Sequence, residues 1–233
     1  MKTESINAGY GSKQVLHGIS VTVSQGEIVA FIGHNGAGKS TLLKAIFGVV
    51  PVTSGSVLFK GHSITNRAPY RNLRDGLAYC PQGGQVFSNL TVEDNLKLAQ
   101  ETIGDSRVAR WEDVIPSELF PVVYEKRRTV AAVLSGGERQ LLAFAMTLLS
   151  RPQVCLYDEP SGGLAPIMVE RVSQLIRQIN QELGVTFLLV EQNVDLAMKL
   201  AHRVYVQANG RVVFEGTPAQ LKGREAVKAL RGF

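Results

Sequence analysis

The stretch Gly33-His34-Asn35-Gly36-Ala37-Gly38-Lys39-Ser40-Thr41 fits the pattern of glycine, four residues, Gly-Lys and then Ser or Thr that marks a phosphate-binding loop. Its flanks agree. Ile28-Val29-Ala30-Phe31-Ile32 reads as a short buried strand. Leu42, Leu43, Ile46 and Phe47 have the spacing of one helix face. Glycines let successive N–H groups turn toward one anion, and the helix start adds unpaired N–H groups and a partial positive charge. Gly33, Asn35, Gly36, Gly38, Lys39, Ser40 and Thr41 are therefore expected to bind nucleotide phosphates. Lys39 would reach the β- and γ-phosphates and Ser40 would ligate Mg²⁺.

Composition sets limits around this loop. A chain of 233 residues, 45% hydrophobic, suits one large α/β domain or two small ones. No apolar run approaches the roughly 18 residues of a membrane span, and Met1–Asn7 has no signal-like apolar stretch, so a cytosolic address is expected. Cys80 and Cys155 sit in separate apolar runs and read as buried strand residues. His17, His34, His62 and His202 lack metal-ligand spacing, so no zinc site is expected. The formal net charge of +5 is modest, and the densest cluster, Lys126-Arg127-Arg128, reads as solvated surface.

From the N-terminus, residues 5–32 read as antiparallel strands, with a turn at Asn7–Gly11. Tyr10 reads equally well as an edge-strand tyrosine or as a face for adenine. Pro51–Gly55 reads as a turn and Ser56–Gly61 as a strand. Gly76–Cys80 is another strand, and Gln82 lies just past its end, where ligands of α/β sheets gather. From about Gly83 to Arg151 helical patterns replace strands, and Thr91–Asp94 resembles a capping box starting a helix through about Ala99. Trp111–Arg128 is partly helical, interrupted by Pro116 and Pro121.

Leu134-Ser135-Gly136-Gly137-Glu138-Arg139-Gln140 opens a helix whose apolar face carries Leu141, Leu142, Ala145, Met146 and Leu149. Ser135 and Glu138 have capping-box spacing. Two glycines in a first turn each cost about 1 kcal/mol relative to alanine. Their retention points to close approach of something bulky and anionic, a second phosphate site.

Val154-Cys155-Leu156-Tyr157 is an apolar strand ended by Asp158-Glu159-Pro160. Adjacent carboxylates at a buried strand end are costly unless they meet a cation. Asp158 would hold Mg²⁺ and Glu159 would orient or deprotonate water. A long amphipathic helix from Pro166 to Gly184, a strand Val185–Val190, a short helix through Leu200, a hairpin turning at Asn209-Gly210 and a basic helix from Pro218 to Leu230 complete the chain.

Taken in order, these motifs resemble the nucleotide-binding subunit of ATP-binding cassette (ABC) transporters, over essentially the whole chain. Gly33–Thr41 looks like the family's Walker A loop, Gln82 its Q-loop glutamine, Leu134–Glu138 its signature motif, Val154–Glu159 its Walker B strand and Ser161–Leu164 its D-loop. The resemblance implies one α/β P-loop NTPase domain over 1–233. It has a mixed sheet and an antiparallel β subdomain in residues 1–82 and 151–233, and a helical subdomain in 83–150. Tyr10 falls where the family stacks an aromatic on adenine. Gln82 joins Ser40 and Asp158 as a metal-site residue. Ser135, Gly136, Gly137 and Glu138 would face the γ-phosphate of a second ATPase subunit, either a second copy or a paralogue.

A finer resemblance is to ATPases importing branched-chain amino acids, in Pro81–Leu96, Glu159–Pro166 and Val190–Asn193. Importers for urea and short amides share much of it. Gln192 replaces the family's switch histidine; glutamine can hydrogen-bond a γ-phosphate but cannot carry a proton. Gln82 stands where that subfamily often has glutamate. The implied function is ATP hydrolysis with Mg²⁺ on the cytoplasmic face of the membrane. It would be coupled to transmembrane permease subunits and indirectly to a periplasmic solute-binding protein, with no nucleic-acid partner. Lipopolysaccharide export and a weakly hydrolysing regulatory subunit, suggested by Gln192, are the alternatives.

Overall fold

The computed structural model describes residues 1–103 and 110–222. Two sheets and a set of helices enclose the core. Strands β1 (Lys2–Tyr10) and β2 (Lys13–Thr22) form an antiparallel pair, and β3 (Ile28–Gly33) leads into the glycine loop. Helix α1 (Lys39–Phe47) follows, then β4 (Val52–Phe59), β5 (His62–Ser63), α2 (Pro69–Arg74) and β6 (Leu77–Cys80). The next stretch carries α3 (Val92–Ile103), α4 (Pro121–Glu125) and α5 (Gly136–Leu148), with 3-10 turns at Trp111–Asp113 and Ala131–Val133. The chain closes with β7 (Val154–Asp158), α6 (Pro166–Leu183), β8 (Thr186–Glu191), α7 (Val194–Leu200), β9 (Arg203–Ala208), β10 (Arg211–Gly216) and α8 (Pro218–Lys222). The rest of the helix expected to Leu230 lies outside the described residues.

The smaller sheet has the order β2-β1-β4-β5 and is antiparallel; the larger has the order β10-β9-β3-β8-β7-β6. In the larger sheet β9, β3, β8, β7 and β6 run parallel, and β10 pairs antiparallel with β9. This corrects the expectation of antiparallel strands throughout 5–32. β3 sits inside the parallel sheet and is buried along its whole length, and its unbroken apolar run suits burial on both faces. Strand β4 begins at Val52, so the expected turn at Pro51–Gly55 is strand instead. The register of β1 against β4 shifts there. Gly55, at φ +86°, lets the backbones meet: a Cβ would lie 2.4 Å from the Glu4 carbonyl oxygen.

Side-chain alternation assigns the two faces of the large sheet. Val29 and Phe31 of β3, Leu156 of β7 and Leu188 and Val190 of β8 pack with α1 and the small sheet. Cys155 and Tyr157 of β7 and Phe187 and Leu189 of β8 pack on the opposite face with α5, α6 and the 111–134 region, including Trp111 and Phe120. Helix α1 is thus wedged between the sheets. Because β3, β6, β7 and β8 are parallel, their C-terminal residues Gly33, Cys80, Asp158 and Glu191 gather at one end. That end is where α/β sheets bind ligands.

Candidate functional site at the strand ends

The loop after β3 is built for an anion. Gly36 and Gly38 have φ of +78° and +102°, and Gly38 is the N-cap of α1 with no side-chain hydrogen bond to the helix. The first turn of α1 therefore presents N–H groups that its own cap side chain does not satisfy. Gly33 is tight for another reason: a Cβ would lie 2.5 Å from the Gln207 carbonyl oxygen of β9. A Cβ on Gly36 would meet nothing within 4 Å, so this glycine faces open space.

Side chains from three further strand ends converge there. Ser40 Oγ donates to Asp158 Oδ1 at 2.8 Å. Tyr79 Oη donates to Asp158 Oδ2 at 2.9 Å, so each oxygen of this 2% exposed carboxylate has a donor. Lys39 is 4% exposed; its Nζ donates to the His34 carbonyl at 3.0 Å and lies 3.8 Å from Glu159 Oε1. Burial pushes the Lys39 ammonium below the usual lysine range, against the opposing pull of Glu159, Asp158 and Glu191. Gln82 Nε2 donates to Glu159 Oε2 at 2.6 Å. Glu159 itself sits at φ +46°, a strained conformation for a residue with a side chain, at a cost of about 1–3 kcal/mol.

Lys39, Ser40, Gln82 and Glu159 border one cleft of about 710 Å³, lined also by Tyr10, Asn35, Gly36, Thr41 and Gln192 among others; Asp158 and Tyr79 lie behind them. Tyr10 ends β1 and pairs with Lys13 of β2, past the last β1–β4 pair at Ala8 and Val52, so it sits at a local edge of the small sheet and is 50% exposed. The oxygen donors Ser40 and Asp158, set beside Glu159, fit a hard divalent cation such as Mg²⁺. His202 lies elsewhere: its Nδ1 accepts from the Ile28 N–H at 2.9 Å.

The glycine-opened start of α5 contributes no residue to this cleft among those lining it. Ser135 and Gly136 are exposed to solvent. The capping box is closed: Glu138 N–H donates to Ser135 Oγ at 3.3 Å and Ser135 N–H to Glu138 Oε2 at 2.9 Å. Glu138 also pairs with Lys126 at 2.6 Å, and that contact holds its carboxyl below the usual range. Gly137 has an internal reason to be glycine, since a Cβ would lie 2.8 Å from Met168 Cε and 2.9 Å from its Cγ on α6. Gly136 has none, with open space around an added Cβ. Gly137 thus has a packing neighbour beside the expected phosphate approach, and Gly136 has none.

Sequence reasoning missed Tyr79, Lys13 and Val15, which border or brace the site. Tyr79 sits three residues before Gln82 in an apolar strand, where nothing marks its hydroxyl as paired. Lys13 and Val15 reach the cleft only because β2 of the small sheet folds over the loop.

Comparison with known proteins agrees with this geometry. The ABC transporter family model matches residues 16–162, more than half of the chain. The high-affinity branched-chain amino acid transport ATP-binding protein BraG of Pseudomonas aeruginosa is 43% identical, covering 94% of this chain and 93% of the relative. The probable branched-chain amino acid transport ATP-binding protein LivF of Archaeoglobus fulgidus is 40% identical, covering 99% of this chain and 97% of the relative. The crystal structure of the ADP conformation of an ATP-binding cassette of an ABC transporter matches with a TM-score of 0.85 at 25% identity. It covers 99% of this chain and 97% of that one. With an uncapped phosphate loop facing paired carboxylates and these likenesses over nearly its full length, the chain belongs to the ABC transporter family.

Proposed function

We propose that the chain is the ATP-hydrolysing subunit of an ABC importer for branched-chain or related amino acids. The observation that carries this reading is the convergence of Lys39, Ser40, Asp158 and Glu159 at the uncapped start of α1. The loop N–H groups and Lys39 hold the phosphates of ATP, and the exposed Tyr10, which lines the same cleft, stacks on adenine. Ser40, Asp158 and Gln82 would hold Mg²⁺, which would supply neutralising charge for the phosphates. Glu159 orients water and accepts its proton. Its present partners, Lys39 and Gln82, keep it in reach until phosphate draws Lys39 away. Gln192 borders the same cleft and can hydrogen-bond phosphate without carrying a proton.

A second such subunit, a copy or a paralogue, completes the site in trans. Exposed Ser135 and Gly136 provide the contact surface; Gly137 and Glu138 shape the helix start behind them. Residues 83–150 form the helical subdomain, which engages the transmembrane permeases at the cytoplasmic face of the membrane. The names of BraG and LivF support the solute class, and through it a periplasmic solute-binding protein.

A Glu159→Gln variant tests the chemistry. It should bind ATP as the wild type does and lose roughly 10²-fold or more in hydrolysis. Brisk turnover by that variant would overturn the role of Glu159. Uptake of labelled leucine by vesicles carrying the chain with its permeases tests the solute; uptake indifferent to the chain rejects it.

A further inference from the structure

Glu191, the last residue of β8, is 1% exposed and has no part in the chemistry assigned above. A carboxylate buried this deeply costs several kcal/mol unless donors meet it. Three do. Ser161 N–H donates to Oε1 at 2.9 Å, Ser161 Oγ donates to Oε2 at 2.9 Å, and Asn193 N–H donates to Oε2 at 3.1 Å.

Both partners belong to loops that border the cleft, one through Gly162 and Gly163, the other through Gln192. The first loop is folded onto the reacting groups. Gly162 N–H donates to the Glu159 carbonyl at 3.0 Å, and a Cβ on Gly162 would lie 3.4 Å from Gln82 Nε2. The second loop is anchored at its far side, where Asn193 Oδ1 accepts from Leu196 N–H at 3.0 Å and caps α7. Gln192 is therefore held between Glu191 and a residue whose backbone and side chain are both fixed.

The geometry points to Glu191 as a positioning residue for hydrolysis: its buried carboxylate bridges the Ser161 loop and the Gln192–Asn193 loop, and so fixes Glu159 and Gln192 relative to each other. This rests on the reading of the cleft as an ATPase site. The backbone ties Glu159 to β8 through its N–H, which donates to the Val190 carbonyl at 2.9 Å, and the Glu191 carboxylate adds the link from β8 to the Ser161 loop that follows. Misplacement by about an ångström costs about 10²-fold in rate while leaving the binding of remote groups intact. The bridge thus governs turnover, and the phosphate loop governs affinity.

The test compares the full-length wild type with Glu191→Ala, Glu191→Gln and Ser161→Ala. It reads fluorescent ATP affinity, KM, kcat and melting temperature. Glu191→Ala should lower kcat by about 10- to 100-fold, with affinity and KM within about threefold of wild type. Glu191→Gln should lie between, because an amide accepts at one oxygen and presents N–H groups at the other, opposing one backbone donor. Combining Ser161→Ala with Glu191→Ala should add little, as expected of one network. Wild-type kcat in Glu191→Ala overturns the inference. So does a parallel fall of affinity, kcat and melting temperature in both Glu191 variants, which marks a merely structural charge. Where Glu191→Ala does not fold, Ser161→Ala decides: reduced kcat at unchanged affinity supports the bridge, and unchanged kcat overturns it. If the wild type neither binds nor hydrolyses ATP, the functional reading itself has failed, and that is seen before any variant is compared.

Discussion

Replacing Tyr79 with Phe removes one atom from the site and little else. The ring contact with Phe47, at a centroid separation of 5.6 Å, survives in a phenylalanine. What is lost is the hydroxyl that donates to Asp158 Oδ2 at 2.9 Å. Burial, then the neighbouring Asp158, push the Tyr79 phenol far above its ordinary range, so it remains a protonated donor at any working pH. Asp158 is 2% exposed, so water replaces that donor poorly. A hydrogen bond to a charged group contributes about 1.5–3 kcal/mol. For a chain of this size that corresponds to a fall in melting temperature of about 3–12 °C. The second effect falls on the metal. Among the described residues Asp158 then keeps Ser40 as its side-chain donor, and loss of an outer hydrogen bond to a ligating carboxylate weakens metal binding by about 10- to 100-fold. Differential scanning fluorimetry without nucleotide reads the first effect. A magnesium titration of fluorescent ADP binding reads the second. An unchanged melting temperature together with a superimposable magnesium curve would refute the reasoning.

Gly137→Ala should cost about 1–3 kcal/mol by overpacking Met168, and adding Met168→Ala should restore the loss in a urea titration. If the double variant stays as unstable as the single one, packing is not the reason for that glycine. Gly55→Ala should cost more than the usual gain of about 0.4–1 kcal/mol seen where alanine fits, since φ is +86° and the Glu4 carbonyl lies 2.4 Å from the new Cβ. Thermal unfolding reads it, and a neutral result would contradict the bulge. Burial raises the Glu191 carboxyl above its ordinary value of 4.5. A raised carboxyl contributes stability that is fully present below the unfolded pKa and is lost as pH rises through the folded pKa. The stability of wild type relative to Glu191→Gln should therefore decline as pH is raised from about 4.5; a flat or rising difference in urea titrations would show the sign to be wrong.

Much of the fold was legible because its signals are local. The apolar run before Gly33, the glycines of the loop, the Pro166–Gly184 helix and the Asn209-Gly210 hairpin each follow from backbone preference and periodicity over a few residues. Strand direction was not legible: β3 reads the same whether its neighbours run parallel or antiparallel. The turn expected at Pro51–Gly55 failed for a related reason. Gly55 serves a bulge against β1, and only the partner strand reveals that.

By itself the sequence determined that a phosphate loop joins a buried strand to a helix, that Asp158 and Glu159 end another buried strand, and that a helical stretch interrupts the sheet. These are properties of residue type and spacing. Tertiary structure alone decided that Tyr79 braces Asp158, that Glu191 joins two loops and that Met168 packs against Gly137. Each is a contact between distant segments, and a hydroxyl, a carboxylate or a missing Cβ acquires its role only when the partner is within a few ångströms.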